Sequence, residues 1–189
     1  MCNNPIPGKS TLLHCLAGII RPGSGEVHLD GRRVDTLDDA ERTKLRRESF
    51  GVVFQSGGLV PELTAEENVA LPLLFNRHGR REALAAARSR LERLDVAGCA
   101  DRRPGELSGG QLQRVAVARA LVTGPRVVFA DEPTGALDSL AGERVMDELA
   151  GTARADGTTL VIVTHDNRVA AYADREITLR DGRPTGVNV

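Results

Sequence analysis

The sequence predicts an α/β fold, a mostly parallel sheet flanked by helices with a helical lobe inserted into it. Two observations predict it. Short β-branched runs alternate with helix-patterned stretches over most of the 189 residues, and strands separated by helices pair in parallel under a helical cover. The alternation stops between residues 56 and 113, where only helical patterning is found. The chain therefore reads as one domain over 1–189, with an α/β core of 1–55 and 114–189 and a helical subdomain of 56–113.

"STLLHCLAGII" has helical apolar spacing and ends at Gly18, before the turn residues "RPGSG". "GEVHLDGRRV" alternates as a strand and turn do, and "FGVVFQ" is a short buried-strand run. "TAEENVALPLL" and "GRREALAAARSRLERLDVAG" are helix-rich, the second with Ala, Leu and Arg at amphipathic spacing. Then follow helix "QLQRVAVARALVTG", strand "RVVFAD", helix "LAGERVMDELAGTARADG", strand "TTLVIVTH", helix "NRVAAYAD" and strand "REITLRDG". No internal repeat interrupts this order.

Composition excludes several function classes. A net charge of −1 offers no general attraction for nucleic acid, and 3% aromatics with no Trp provide no platform for stacking bases. The arginines from Arg77 to Arg93 are interleaved with Ala and Leu, which marks a solvated helix face. No apolar stretch approaches the roughly 20 residues that span a bilayer, and no secretory signal pattern opens the chain. Cys2, Cys15 and Cys99 are odd in number and scattered, as reduced thiols are. His14, His28 and His78 have no partners at metal-ligand spacing.

Four stretches carry chemistry. In "PGKST", Lys9 directly follows Gly8 and can reach phosphate oxygens, while the hydroxyl of Ser10 can ligate Mg²⁺. The helix behind them directs its amides and positive dipole end at the same anion; a plain helix start beside a lysine is the competing reading. In "VVFADEP", a hydrophobic strand ends in Asp131, which would stand at the carboxyl edge of a parallel sheet and hold Mg²⁺, and in Glu132, which can polarise a water. Alone, it also reads as a solvated acidic turn. "LSGGQLQRVAVARAL" places Ser108, Gly109 and Gly110 at a helix start, followed by Gln111. A capping serine explains Ser108, but two glycines cost roughly 1 kcal/mol each inside a helix, which points to close approach by a ligand. "LVIVTHD" ends a strand in His165, a possible γ-phosphate donor or a structural histidine.

The order "GKST", "FQ" at Gln55, "LSGGQ", "FADEPTGALD" and "TH" resembles the ATP-binding cassette (ABC) ATPases, P-loop NTPases, from residue 8 to the end. The resemblance implies that Gly8, Lys9, Ser10 and Thr11 hold the phosphates of ATP and Mg²⁺, and that Gln55 contacts Mg²⁺ and the attacking water. It makes Asp131 the Mg²⁺-holding carboxylate of Walker B, Glu132 the general base and His165 the γ-phosphate contact. Asp138 in "ALDS" resembles the loop that crosses between subunits. Ser108, Gly109, Gly110 and Gln111 would close over the ATP of a second copy, so two sites form only in a head-to-tail dimer. The implied partner is a separate transmembrane permease, which places the chain on the cytoplasmic face of the cell membrane. The stretch "GVVFQSGGLVPELTAEENVALPLL" resembles the bacterial group of macrolide-exporter, lipoprotein-releasing and antimicrobial-peptide-resistance systems. Soluble ABC proteins of repair or translation fit less well, since here the gap between lysine and signature is short and only one cassette is found.

The opening departs from the family pattern G-x-x-x-x-G-K-[ST]. Its first glycine falls on Asn3, and Pro5 and Pro7 stand inside the loop, where proline has no N–H to give a phosphate. Loss of one or two charge-assisted hydrogen bonds would weaken ATP binding by about tenfold to a few thousandfold. The resemblance also leads one to expect an N-terminally incomplete chain that lacks its first strands and exposes apolar sheet surface. A variant whose strand comes from another chain is the alternative. A catalytically impaired remnant is accordingly the second functional reading.

Overall fold

The computed structural model describes residues 8–180 and 182–188. Cys2, Asn3, Pro5 and Pro7 lie outside them, so the departure in the phosphate loop is a statement about sequence alone. The chain runs through α1 (Lys9–Leu16), β1 (His28–Leu29), β2 (Arg32–Arg33), α2 (Asp39–Ser49), β3 (Phe50–Val53), α3 (Ala65–Phe75) and α4 (Arg80–Arg93). Two short 3₁₀ turns precede α5 (Gly109–Leu121), β4 (Val127–Asp131), α6 (Ser139–Asp156), β5 (Thr159–Val163), α7 (Asn167–Ala170), β6 (Glu176–Arg180) and β7 (Arg183–Asn188).

The centre is a parallel sheet in the order β3-β4-β5. Its register pairs Val53 with Ala130 and Asp131 with Val163. All five residues of β4 are buried, as a strand covered on both faces requires. On one face Phe50 and Phe129 meet edge to face at 5.1 Å beside Leu13 and Ala17 of α1. On the other a continuous apolar cluster joins Val128 and Ala130 to Val69 of α3, Leu91 of α4, Val117 of α5 and Met146 of α6. A Cβ on Gly51 would lie 2.2 Å from the Ala120 carbonyl oxygen, so β3 and α5 approach as closely as a glycine permits.

The helices start where sequence chemistry says they should. Thr64 and Glu67 form a capping box on α3, as Asp38 and Glu41 do on α2. Gly157 closes α6 in the left-handed conformation. α2 is absent from the sequence reading because none of its residues is buried and no apolar stripe betrays it. Other expectations are corrected. "NRVAAYAD" supplies only the single helical turn of α7. "GEVHLDGRRV" supplies only the two-residue strands β1 and β2, an antiparallel hairpin turned through Asp30 (φ 48°) and Gly31 (φ 79°). β6 does not extend the parallel sheet; it pairs antiparallel with β7. The helix containing Gln113 runs on to Leu121, so the expected 113/114 division falls inside α5.

β5 pairs with β4 on one edge. Beside its other edge lies a cavity of about 740 Å³, walled by α1, α6 and β6 and lined by Leu13, Leu16, Val161, Val163 and Leu179. Lys9 and Thr164 stand on its rim.

Candidate functional site

Parallel register brings three strand ends to one edge. Asp131 closes β4 opposite Val163; Glu132 follows it, Thr164 and His165 follow Val163, and Gln55 lies two residues beyond Val53. Four of the residues picked out in the sequence thus converge because they end neighbouring strands, where α/β sheets place ligand sites.

Glu132 is the most constrained of them. Its φ is 49°, a conformation that non-glycine residues rarely adopt and that costs of the order of 1–3 kcal/mol. The backbone is held there from both sides: the Glu132 N–H donates to the Val163 carbonyl at 2.9 Å, and its own carbonyl accepts from the Gly135 N–H at 3.0 Å. Its side chain is equally fixed. The Thr164 hydroxyl donates to Oε2 at 3.2 Å, and His165 Nδ1 lies 2.7 Å from Oε1. The carboxylate is 16% exposed and the imidazole 75%, so His165 reaches solvent past a sheltered acid.

Asp131 is 5% exposed, and no hydrogen bond or ion pair reaches its carboxylate among the described residues. A buried acid without a partner is costly, and a cation between it and a hydroxyl would complete it. Lys9 Nζ donates to the Thr164 carbonyl at 3.4 Å, which sets the ammonium at the carboxyl end of β5. Gly8 begins α1 at φ 121°, a value that requires glycine, and the amides of Lys9, Ser10 and Thr11 lead the helix without intrahelical acceptors. The leading amides of α1 and an unpartnered carboxylate at the sheet edge are therefore groups of the kind that suit a Mg²⁺-bound polyphosphate. Gln55 is exposed in the turn after β3.

The signature residues lie elsewhere. Ser108 and Gln111 form a reciprocal capping box, with Gln111 N–H to Ser108 Oγ at 3.3 Å and Ser108 N–H to Gln111 Oε1 at 2.9 Å. A Cβ on Gly110 would stand 3.2 Å from Leu137 Cδ2, so this glycine has a packing reason within its own chain; Gly109 has only an ordinary contact, 3.8 Å to Ala136 Cβ. The ligand argument from two glycines thus narrows to Gly109. Asp138 caps α6 by accepting from the Ala141 N–H at 2.9 Å. Among the described residues, no hydrogen bond or ion pair joins Ser108, Gly109, Gly110 or Gln111 to Lys9, Asp131, Glu132 or His165.

Two residues that sequence reasoning passed over help to build the site. Thr164 links Glu132 to the Asp166 N–H, from which its hydroxyl accepts at 3.0 Å; its place beside His165 at a strand end is the signal. Arg119, a lone cation within the apolar run "VAVARAL", reaches the turn after Gln55.

Comparison with known proteins follows the same lines. The family described as ABC transporter matches residues 7–135. An uncharacterized ABC transporter ATP-binding protein, MJ0796, of Methanocaldococcus jannaschii is 47% identical over 179 residues, covering 93% of this chain and 76% of the relative. The lipoprotein-releasing system ATP-binding protein LolD of Myxococcus xanthus is 48% identical over 175 residues, covering 93% and 78%. The macrolide export ATP-binding/permease protein MacB 1/2 of Paracoccus denitrificans is 49% identical over 176 residues, and the chain spans only 26% of its length. The solved dimeric structure of MJ0796 in a post-hydrolysis state with ADP and Pi superimposes with a TM-score of 0.91 at 43% identity, covering 95% of this chain and 79% of that one. The chain belongs to the ATP-binding family of ABC transporters.

Proposed function

We propose that this chain is the ATP-hydrolysing subunit of a bacterial ABC transporter, and that it powers a separate membrane permease by dimerising around ATP. The observation that carries the reading is the Glu132 carboxylate, strained and sheltered at the sheet edge between Thr164 and His165. This arrangement suits a general base: an acceptor held in one orientation and partly desolvated. Mg²⁺, held by Ser10, Asp131 and Gln55, would supply charge neutralisation at the transferring phosphoryl group. Lys9 and the α1 amides orient the triphosphate, with Gly8 and Thr11 in the same cradle. Glu132 takes the proton of the attacking water, and His165 leaves its carboxylate partner to donate to the γ-phosphate.

The second half of each site comes from another copy. Ser108 to Gln111 make none of these contacts with the residues of their own sheet edge, and the Gly109 and Gly110 amides have no acceptor within their own helix. A head-to-tail dimer brings them over the partner's nucleotide, with Asp138 at the crossing. No helix among the described residues is long and apolar enough to cross a membrane, and the similarity to the lipoprotein-releasing ATP-binding protein LolD and to part of the ATP-binding/permease protein MacB supports a permease as the other partner.

A second reading, of weakened nucleotide binding, is favoured by one sequence observation, the prolines and Asn3 in the loop. One experiment separates the two. Titration calorimetry and phosphate release are measured on the 189-residue chain with MgATP. The first reading expects micromolar affinity and turnover that Glu132→Gln lowers by about 10²- to 10⁴-fold. Affinity weaker than millimolar with no phosphate release establishes the second.

A further inference from the structure

We propose that Arg119 is a positioning residue for Gln55, a clamp that makes the loop after β3 move as part of helix α5. Arg119 lies on α5, whose first turn is the Ser108–Gln111 signature. Its guanidinium donates through Nη1 to the Gly58 carbonyl at 2.7 Å and through Nη2 to the Gly57 carbonyl at 2.9 Å. Both glycines have positive φ, 74° and 57°, so the turn points two successive carbonyls at one planar fork. Among the described residues Arg119 has no carboxylate partner, and burial pushes its guanidinium below the usual value. A partly buried cation that spends its fork on backbone carbonyls gives up more solvation than a fully exposed arginine would. The cost is offset only where those carbonyls must be held.

The far side of the same loop is fixed to α3. Asn68, fully buried, accepts from the Val60 N–H at 2.7 Å and donates to the carbonyls of Val60, Leu63 and Thr64 at 3.0, 3.2 and 3.0 Å. The segment from Gly57 to Thr64 is therefore tied to the helices at both ends, while Gln55 and Ser56 remain exposed between β3 and the clamp. Any rotation of the joint has to fall in these two residues and Phe54, which links them to β3. A displacement of α5 by a ligand at Ser108 would then be read at Gln55 of the same chain through Arg119, eleven residues and three helical turns away (from 108 to 119).

This inference rests on Gln55 acting at the nucleotide, as proposed above, but its first test does not. Hydrogen exchange is followed without nucleotide on the whole chain and on Arg119→Lys, with Arg114→Gln as control, since Arg114 instead bonds the Leu94 and Asp95 carbonyls beyond α4. A lysine keeps the charge and stem but cannot grip two carbonyls at once. Exchange at the Gly57 amide, which donates to the Phe54 carbonyl, and at its neighbours through Leu59 is expected to rise about tenfold or more in Arg119→Lys, with α5 and β4 unchanged. The control is expected to leave this loop as in the wild type. Unchanged loop exchange in Arg119→Lys, or an equal rise throughout α5 and β4, overturns the proposal. Where the wild type hydrolyses ATP, Arg119→Lys is further expected to lower kcat about tenfold or more with KM within about twofold; an unchanged kcat overturns the link to Gln55. Absence of turnover in the wild type counts against the proposed function, and the exchange result still decides the clamp.

Discussion

The side chain of Glu132 shows how several weak constraints make one sharp one. Two backbone hydrogen bonds force its positive φ, and Thr164 and His165 then fix both carboxylate oxygens. Thr164→Val removes the donor to Oε2 while keeping the volume, and is expected to reduce turnover about tenfold, with Thr164→Ser restoring most of it; phosphate-release kinetics on both variants check this. Away from the site, Asp35 has its pKa lowered to about 2 from 3.8, chiefly by the Arg33 guanidinium and then by the Val27 N–H. Because the folded value lies below the unfolded one, the stabilisation is complete above about 4 and disappears as pH falls toward about 2. Asp35→Asn is therefore expected to be less stable than the wild type at pH 6, with the gap closing across that acid window in urea titrations at stepped pH. Asn68 has a larger structural role. Its truncation to Ala leaves the Val60 N–H and the Leu63 carbonyl without their partner, since the Val60 and Thr64 carbonyls keep backbone donors, and about 2–4 kcal/mol of unfolding free energy is expected to be lost.

The strands of the central sheet were legible because β-branched runs closed by polar residues have few other solutions, and their carboxyl ends named Asp131, Glu132 and His165 with them. α2 left no trace, since a helix with no buried residue and a strongly polar sequence has no periodicity to read. β7 was unreadable for a related reason: "RPTGVN" contains a proline and a glycine, and only its pairing with β6 makes it a strand. The signature helix was half legible. Its glycines were read as room for a ligand, whereas Leu137 against Gly110 is a contact between segments that no local pattern announces. Gly51 makes the same point for packing. It sits unremarked in "FGVVFQ", yet Gly51→Ala would drive a methyl into the Ala120 carbonyl. The loss is expected to be about 3 kcal/mol or more, or roughly 6–12 °C in Tm, measured by thermal and chemical denaturation.

Among the described residues, those that would meet a nucleotide divide into two groups with no hydrogen bond or ion pair between them. Gln55, Asp131, Glu132, Thr164 and His165 gather at one sheet edge with Lys9 beside them, while Ser108 to Gln111 cap a helix against the loop of Ala136 and Leu137. On the proposed function, a single copy so arranged holds half of each of two sites. Glu132→Gln should trap the pair by keeping ATP intact between the copies. Light scattering on this variant, with and without saturating MgATP, is the most direct measurement: the 20.2 kDa mass of one chain is expected to double when nucleotide is added. A mass that stays at that of one chain in MgATP contradicts the account.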